Sequence, residues 1–316
     1  MSMPRVDIVL STYNGQQYLQ ELLESIAGQS YPNWRLLVRD DGSRDQTIGI
    51  LQRHRDTFQG KITIIDEPGG NLGVVQSYSA LLGRSDAEYI MFSDQDDVWL
   101  PEKIAVTFEE MRRVEQRAAP GTPVLVHTDA TVVNAGLAPI SPSLWNYQKC
   151  DPESGAALKR LLLQNVATGC TVMINRALRD RGVPIPAGVM MHDWWLTLVA
   201  SAFGRIGHVP KPTLLYRQHG RNESGAHLWN PRVAFQYLFD IVNTLRGIRR
   251  ANAEIQNQAQ SFSERYGDLL NRHDRHMVQV YSRLRERNYF VRRYFMVKYG
   301  FFYTDTLRNI GRLLFS

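Results

Sequence analysis

The chain has 316 residues, of which 43% are hydrophobic and 22% are charged. This length predicts one large α/β domain of roughly 200 to 250 residues with an extension, and the composition excludes a disordered or fibrous protein. The net charge of +6 is uneven, because residues 230–316 carry 15 basic and 7 acidic side chains and residues 1–229 carry 22 and 24. Since the basic character is confined to the tail, we do not expect nucleic acid as a partner.

Cysteine usage and hydrophobicity indicate the compartment. The two cysteines, Cys150 and Cys170, have no C-x-x-C spacing and can form at most one disulfide, which is thin support for a secreted scaffold. We find neither a signal-peptide pattern nor an uncharged apolar stretch of about 18 residues. We therefore expect a cytoplasmic protein without a transmembrane helix.

The first hundred residues alternate short β-branched runs with longer helical patterns. Strands are predicted over 6–10, 34–39, 61–65 and 89–92, and helices over 16–28, 44–55 and 72–82. This alternation predicts a Rossmann-like, mostly parallel central sheet that is flanked by helices.

Beyond residue 100 the pattern continues with larger gaps. The predicted elements are a helix over 101–117, a strand over 124–128, a loop or flap over 139–152, a helix over 158–164, a strand over 169–174 and a helix over 193–203. From residue 229 onward helical patterns dominate. We therefore predict a first domain over 1–228 and a basic, aromatic-rich helical extension over 229–316.

Polar segments follow three of the predicted strands, namely 11–15, 40–43 and 94–97. Ligands of open α/β sheets bind where such loops converge, at the carboxyl ends of the strands. Asp94, Asp96 and Asp97 are so crowded that their carboxylates call for a cation. Mn²⁺ or Mg²⁺ bridging these oxygens to a substrate diphosphate fits this pattern.

Each segment also has a plain structural interpretation. The aspartates of 94–97 are typical of a turn and cap ahead of the helix that starts near Pro101. Segment 40–43 could contact a base edge, and is equally typical of an ordinary strand–turn–helix connection. Tyr13 could stack on a base above helix-terminal amides, or pack within its own loop.

In order and spacing, these segments resemble the family 2 glycosyltransferases, which have the GT-A fold. The matching segments are Ile-Val-Leu-Ser-Thr-Tyr-Asn-Gly (8–15), Gln-Ser-Tyr-Pro-Asn-Trp (29–34), Arg-Asp-Asp-Gly-Ser-Arg-Asp (39–45), Asn-Leu-Gly (71–73) and Ser-Asp-Gln-Asp-Asp-Val-Trp (93–99). The resemblance covers roughly residues 4–225. It implies a catalytic domain with a donor-binding half over about 1–100 and an acceptor half over about 101–228.

The resemblance also implies a role for individual residues on the donor side. Base and ribose contacts are expected from Ser11, Tyr13 and Asp41, with help from Asp40. Further donor contacts are expected from Asn14, Asn71, Gly73, Gln95 and Arg217. Asp94 and Asp96, with Asp97 adjacent, match the motif that binds the metal and the diphosphate. His219, in the closing segment 216–225, is either a further metal ligand or a structural histidine.

On the acceptor side, Asp193 matches the position of the family's catalytic carboxylate and becomes the predicted general base. An inverting transfer needs one such base at the acceptor hydroxyl and a stabilised leaving diphosphate. The alternative is that Asp193 caps a helix carrying two core tryptophans. The other residues expected on the acceptor side are Thr168, Gly169, His192, Trp194 and Trp195.

The combination of Ser-Asp-Gln-Asp-Asp-Val-Trp (93–99) with His-Asp-Trp-Trp (192–195) and Tyr-Arg-Gln-His (216–219) is similar to the bacterial rhamnosyltransferase branch. This similarity implies dTDP-rhamnose as donor and a saccharide or polyprenyl-linked oligosaccharide as acceptor. A UDP-sugar donor is the first alternative. A nucleotidyltransferase is disfavoured, because 11–15 is not a Gly-rich, basic phosphate loop. A catalytically inactive carbohydrate-binding scaffold is the remaining alternative.

The tail has its own pattern, in which arginines alternate with aromatic and aliphatic residues over 283–316. Basic amphipathic helices with aromatics are typical of attachment to an anionic membrane surface. This would place the protein at the inner membrane face, near a polyprenyl-linked acceptor. The alternative is that the aromatics pack on the core or on a second subunit, giving a homodimer.

Overall fold

The computed structural model describes residues 3–58, 60–65, 70–220, 241–304 and 309. Within these residues nine strands form one sheet. The strands are β1 Val6–Thr12, β2 Trp34–Asp40, β3 Ile62–Ile64, β4 Tyr89–Ser93, β5 Val98–Trp99, β6 Val124–Asn134, β7 Pro139–Ser141, β8 Val172–Asn175 and β9 Arg205–Gln218. Residues 221–225 of the predicted closing segment and 310–316 of the predicted tail lie outside the described residues.

The strand order is β3-β2-β1-β4-β8-β6-β9-β5, with β7 beside β6. The first four strands pair in parallel, as the sequence predicts. The second half is mixed, because β8 runs antiparallel to β4 and β6, and β5 and β7 are also antiparallel to their neighbours. β8 is a short, buried apolar strand, and such a pattern carries no information about direction.

The helices lie between the strands and, from residue 241, follow one another along the chain. Their bounds are α1 Leu19–Ala27, α2 Thr47–Thr57, α3 Gly73–Arg84, α4 Lys103–Gln116, α5 Leu144–Gln148, α6 Pro152–Gly155, α7 Leu158–Leu161, α8 Arg176–Gly182, α9 His192–Phe203, α10 Ile241–Tyr266, α11 Arg272–Ser282 and α12 Tyr289–Tyr299. The first four helices begin one to three residues later than predicted. The predicted loop over 139–152 contains β7 and α5.

β1 lies between β2 and β4, and its apolar residues are fully buried. A strand covered on both faces needs a continuous apolar run, which explains the sequence Val-Asp-Ile-Val-Leu. The one acidic residue in this run, Asp7, is neutralised by Arg35, whose Nη2 lies 2.6 Å from Asp7 Oδ2. This ion pair lies at the amino end of β1. The candidate site is formed by loops at the opposite, carboxyl ends of the parallel strands.

The described residues divide into two compact units. The first lies within Met1–Leu144, Ala167–Ile185 and Met191–Ala226, and the second within Trp145–Val166, Pro186–Met190 and His227–Ser316. All nine strands of the sheet lie in the first unit, and α10, α11 and α12 belong to the second. The predicted domain boundary between residues 228 and 229 lies outside the described residues.

Two further findings bear on the sequence analysis. Cys150 and Cys170 are both buried, and neither forms a disulfide. Over the ranges that the structure describes, no helix has both the length and the hydrophobicity that crossing a membrane requires.

Candidate active site

The loops after β1 and β2 are held together by one carboxylate. Asp40 Oδ1 accepts hydrogen bonds from Thr12 Oγ1 at 2.8 Å and from Ser43 Oγ at 2.6 Å. Asp40 Oδ2 accepts from the backbone amides of Gly42 at 3.1 Å and Ser43 at 2.8 Å. Gly42 has a φ of 90°, which favours glycine. Asp40 therefore shapes the turn, next to the half-buried Ser11 at the end of β1.

The neighbouring Asp41 is buried and binds the segment Asn-Leu-Gly (71–73), which was also predicted to contact the donor. Its carboxylate accepts hydrogen bonds from Arg39 and from the backbone amides of Leu72 at 2.7 Å and Gly73 at 2.8 Å. Asn71 Nδ2 donates to the backbone oxygen of Asp41 at 3.1 Å. Burial alone would raise the pKa of Asp41, but the hydrogen bonds and the Arg39 charge outweigh it and hold this pKa below its usual range.

Gln95 connects the first loop to the acidic motif. Its Nε2 donates to the backbone oxygen of Tyr13 at 3.0 Å, and its Oε1 accepts from the Tyr13 amide at 2.9 Å. A Cβ atom on Gly15 would lie 2.3 Å from Gln95 Oε1, so a larger residue at position 15 would displace this side chain. Asn14 has a φ of 48° and donates from its amide to Ser43 Oγ at 2.8 Å. The ring of Tyr13 is left 48% exposed.

The acidic motif follows β4. One ligand atom from each of Asp94, Asp97 and Cys170 lies within 4.8 Å of the other two. Burial raises the pKa of Asp94 to about 7, and the charges of Asp96 and Asp193 add to this effect. Burial also raises the pKa of Asp97 well above its usual range, with Asp96 and Asp94 contributing. The protein thus concentrates negative charge where water screens it poorly.

A buried lysine at the start of α4 faces this cluster. Lys103 Nζ lies 3.4 Å from Thr213 Oγ1. Burial lowers the pKa of Lys103 to about 8, while the nearby groups of Cys170, Asp97 and Asp94 act in the opposite direction. Its ammonium charge therefore offsets part of the charge of the carboxylates.

His219, near the end of the described part of the first unit, lies beside Asp96. Its Nε2 atom is 2.8 Å from Asp96 Oδ2, and its ring stacks on Tyr18 with a centroid distance of 5.0 Å. β9 ends one residue before His219 and carries it to this position. Two residues that were predicted to share a metal are therefore adjacent although they lie far apart in the sequence.

Arg217, on β9, is buried among contacts within the protein. Its amide donates to Asp97 Oδ1 at 3.1 Å, and its Nε to the backbone oxygen of Asp96 at 2.7 Å. Its Nη1 donates to the backbone oxygen of Ala135 at 2.6 Å, and its Nη2 forms an ion pair with Glu21. The guanidinium thus holds the acidic loop in place, and its predicted contact with the donor stays a prediction.

α9 begins at His192 and places Asp193 in its first turn. Asp193 Oδ1 accepts a hydrogen bond from the amide of Trp194 at 2.6 Å, and its charge contributes to the raised pKa of Asp94. The predicted base therefore lies close enough to the acidic motif to interact with it electrostatically. Trp194 is almost fully buried.

His192 is also buried, and its ring stacks on Tyr78 with a centroid distance of 3.8 Å. Within the described residues, neither ring nitrogen has a hydrogen-bond partner. Burial lowers the pKa of His192 to about 3, so the imidazole is neutral at physiological pH. A Cβ atom on Gly169 would lie 3.2 Å from His192 Nε2 and 3.4 Å from Asp193 Oδ2, so glycine permits the close approach.

Thr168 and Trp195 are the remaining residues predicted on the acceptor side. Thr168 precedes the turn at Gly169, and its backbone oxygen accepts from the Thr171 amide at 2.8 Å. Trp195 is fully buried, and its Nε1 donates to the backbone oxygen of Gly182 at 2.9 Å. Trp195 thus packs within the core of the first unit.

Sequence reasoning assigned no role to Tyr78 or Lys103. Tyr78 OH lies 2.7 Å from the backbone oxygen of Ser93, to which it donates, and 3.3 Å from Asp94 Oδ1. An aromatic residue within a helix is typical of a core, so nothing in the sequence marks it. Lys103 carried a usable signal, because it is the only basic residue between Arg84 and Arg112.

The predicted metal residues have suitable chemistry. Carboxylate oxygens and an imidazole nitrogen are ligand types that Mn²⁺ accepts, and Mg²⁺ accepts the carboxylates. The raised pKa values of Asp94 and Asp97 show that the ionised carboxylates lack sufficient positive charge around them. The site therefore fits a divalent cation.

Known proteins were compared with this chain by sequence. The model of the family described as glycosyl transferase family 2 matches residues 7–179, which is more than half of the chain. The dTDP-rhamnosyl transferase RfbG of Shigella flexneri is 25% identical over 232 residues, which cover 69% of this chain and 74% of that protein. The poly(ribitol-phosphate) β-N-acetylglucosaminyltransferase TarS of Staphylococcus aureus is 31% identical over 97 residues, which cover 30% of this chain and 17% of that protein.

Solved structures give the same fold. Residues 1–349 of S. aureus TarS in complex with UDP-GlcNAc superpose with a TM-score of 0.53 at 16% identity, covering 89% of this chain and 80% of that chain. The mannosyltransferase PcManGT of Pyrobaculum calidifontis, in complex with GDP-Man and Mn²⁺, gives a TM-score of 0.51 at 17% identity, covering 98% and 88%. At these identities the likeness shows the fold alone. The chain therefore belongs to glycosyl transferase family 2 and is a glycosyltransferase with the GT-A fold.

Proposed function

We propose that this glycosyltransferase moves a sugar from a nucleotide diphosphate to an acceptor hydroxyl, with inversion and with a divalent metal. The observation that carries the proposal is the meeting of Asp96 with His219 beside the buried carboxylates of Asp94 and Asp97. Asp193 interacts electrostatically with the same cluster. A candidate base therefore lies close to the candidate metal site.

The donor nucleotide is assigned to the loops after β1 and β2. The exposed ring of Tyr13 offers a face on which a base can stack. Asp41 is fixed by Arg39 and by the amide of Gly73, so its carboxylate cannot swing away from a base or ribose. Asn71 borders the same position. A site that is already ordered costs less entropy when the donor binds.

The metal is assigned to Asp94, Asp96, Asp97 and His219, as Mn²⁺ or Mg²⁺. When bound, such an ion neutralises charge on the leaving diphosphate. Arg217 holds two of these proposed ligands in place. Its amide donates to Asp97 Oδ1, and its Nε donates to the backbone oxygen of Asp96.

Asp193 is assigned as the general base. Its carboxylate removes the proton from the acceptor hydroxyl while the acceptor oxygen attacks the anomeric carbon opposite the departing diphosphate. Attack from the opposite face inverts the configuration. We assign Thr168, Gly169, His192 and Trp194 to the acceptor side, which is supported by the approach of Gly169 to His192 and Asp193 and by the hydrogen bond from the Trp194 amide to Asp193.

For the donor we propose dTDP-rhamnose, and the likeness to RfbG supports this choice. A UDP-sugar is the second candidate, because the TarS fold is solved with UDP-GlcNAc. The name of TarS identifies poly(ribitol-phosphate) as the polymer on which it acts, which supports a role in polysaccharide biosynthesis, such as that of O-antigen, capsule or cell wall. The acceptor would then be a saccharide or a polyprenyl-linked oligosaccharide at the cytoplasmic side of the membrane.

The test is calorimetric titration of the full-length protein with nucleotide diphosphates and their sugars, with and without Mn²⁺ or Mg²⁺. Metal-dependent binding of dTDP-rhamnose is expected. Preference for a uridine nucleotide would change the donor and keep the reaction type. If no nucleotide binds under any metal condition, the transferase proposal fails and an inactive scaffold becomes the better interpretation.

A further inference from the structure

The last described helix of the second unit has an apolar outward face. On α12, Phe290 is 81% exposed, Tyr294 59% and Val297 65%. Spacings of four and three residues place these side chains on one face of the helix, whereas Met296 and Tyr299 are buried. Because outward faces of surface helices are normally polar, this apolar stripe, defined by Phe290, Tyr294 and Val297, calls for an explanation.

Large apolar side chains are seldom exposed elsewhere in the described ranges. Nine are exposed among the described residues, and four of these nine lie on α12, where Tyr289 adjoins the stripe. Tyr13 and Leu72, which are two of the other five, lie in loops of the candidate active site. A concentration on one helix is typical of an interaction surface rather than of scattered exposure.

The stripe has a basic border. Residues 283–304 contain six basic side chains and one acidic side chain, a net charge of +5. The Arg293 guanidinium lies 3.7 Å from the centre of the Tyr289 ring, and Lys298 Nζ lies 5.4 Å from that of Tyr294. These cation–π contacts hold positive charge beside the stripe. Arg287 is exposed just before the helix.

We propose that this face of α12 binds the surface of an anionic phospholipid bilayer. The stripe would enter the boundary between head groups and acyl chains, while the arginines and Lys298 would contact phosphates. Tyrosine suits this boundary because its ring is apolar and its hydroxyl can stay hydrated, whereas phenylalanine and valine suit the apolar side. Bound in this way, the enzyme would work beside the lipid-linked acceptor of the proposed function.

Other occupants match this surface less well. Two copies of the chain that met through this face would bring two surfaces of +5 together, and like charges at an interface repel. A nucleic acid would neutralise the basic border but would leave the apolar stripe in contact with water. An anionic bilayer satisfies both the charge and the apolar area.

The experiment is sedimentation of the full-length protein with vesicles, without nucleotide or acceptor. Vesicles of phosphatidylcholine alone are compared with vesicles that also contain phosphatidylglycerol, and binding is expected only to the latter, weakened by salt. The triple variant Phe290→Ser, Tyr294→Ser, Val297→Ser is expected to lower the partition coefficient by about tenfold or more, since the buried apolar area is lost. The matched control Ile140→Ser, Leu269→Ser changes exposed apolar residues outside the stripe and is expected to bind like the wild type.

A second pair of variants separates local charge from total charge. Arg287→Glu with Lys298→Glu removes border charges, and Arg250→Glu with Arg272→Glu makes the same change of charge at exposed sites away from α12. We expect the first pair to abolish binding to phosphatidylglycerol vesicles and the second to retain most of it. Equal losses would overturn the proposal, because binding would then follow total charge.

One further outcome would also overturn it, namely binding of the stripe variant to vesicles at the wild-type level. If light scattering then shows that the mass of this variant has also changed, the face is a contact between copies of the chain. Thermal melting and nucleotide titration of each variant exclude a loss of folding. Since vesicle binding needs no donor, a failure of the proposed transfer reaction would leave this result intact.

Discussion

Asp40 and Asp41 come at the end of β2, whereas Asp94 and Asp97 follow β4, on the other side of β1 in the same sheet. The first two accept hydrogen bonds from amides, hydroxyls and the guanidinium of Arg39, and the pKa of Asp41 is lowered. The second two are crowded, and their pKa values are raised. The first pair therefore stabilises the folded chain by itself, whereas the second pair needs added positive charge to be stable when ionised.

The largest expected effect lies in the first pair. Asp41→Ala leaves the buried Arg39 guanidinium without its carboxylate, so the free energy of unfolding should fall by about 3–5 kcal/mol. Urea denaturation measures this change. Asp56→Ala, at an exposed ion pair with Arg55, is the control and should change stability by less than about 0.5 kcal/mol. A small loss for Asp41→Ala would mean that the two pairs of aspartates do not differ as described.

Asp193, which interacts electrostatically with Asp94 of the second pair, should affect the rate of transfer and have little effect on folding. Asp193→Asn retains an oxygen that can accept the Trp194 amide and removes the base, so turnover should fall by about 10²-fold or more while donor binding stays nearly unchanged. Single-turnover transfer assays and calorimetry measure the two quantities. Asp180→Asn, an exposed carboxylate on α8, is the control. Near-normal turnover of Asp193→Asn would remove Asp193 from the role of base.

A smaller effect is expected at the candidate metal site. His219→Ala removes one proposed ligand next to Asp96, so the Mn²⁺ concentration needed for half-maximal donor binding should rise by about tenfold or more. Titration of the donor at a series of Mn²⁺ concentrations gives this value. His54→Ala, on α2, serves as the matched change. An unchanged metal requirement would mean that His219 has only a structural role.

The smallest effect has the opposite sign to that of Asp41. Because the folded-state pKa of Asp94 is about 7 and the ordinary value is 3.8, the folded chain binds a proton that the unfolded chain lacks between these pH values. Stability without metal should therefore fall as pH rises from about 4 to 7, and Asp94→Asn should make this fall smaller, while the raised pKa of Asp97 leaves a further fall in both proteins. We expect the variant to melt a few degrees above the wild type at pH 8, with a smaller difference at pH 5.

Calorimetric scans of both proteins in a chelating buffer would decide the matter. A melting temperature of Asp94→Asn below that of the wild type at pH 8 would contradict the prediction. The buried His192, with a pKa lowered to about 3, acts in the opposite direction below pH 6.5 in both proteins. Its contribution cancels in the difference between the two curves.

The sequence predicts the parallel half of the sheet because β-branched runs and helical periods alternate there without interruption. It also locates the polar loops, because loops at the carboxyl ends of parallel strands converge. The second half is harder, since the direction of β8 and the register of β9 depend on contacts between strands that are distant in sequence. The local periodicity of hydrophobic residues does not predict such contacts.

The candidate site shows the same limit at the level of side chains. The meeting of Asp96 and His219 follows from the family resemblance, and no local pattern could give it. Arg217 was predicted to contact the donor, and the structure adds contacts of its guanidinium with Glu21 and backbone oxygens that no sequence pattern indicates. Tyr78 links His192 to Asp94 from within a helix whose pattern is that of an ordinary core element. Packing, rather than composition, selects these residues.

The amide of Gln95 pairs with the Tyr13 backbone through both its nitrogen and its oxygen, as a neighbouring strand would. The residue between two aspartates of the acidic motif therefore fixes the backbone that carries the exposed Tyr13 ring. Under the proposed function, a substitution of Gln95 should change both the preference for a donor base and the affinity for the metal. Substitutions at Gly15 and Gln95 should be strongly non-additive, because the first displaces the side chain that the second removes.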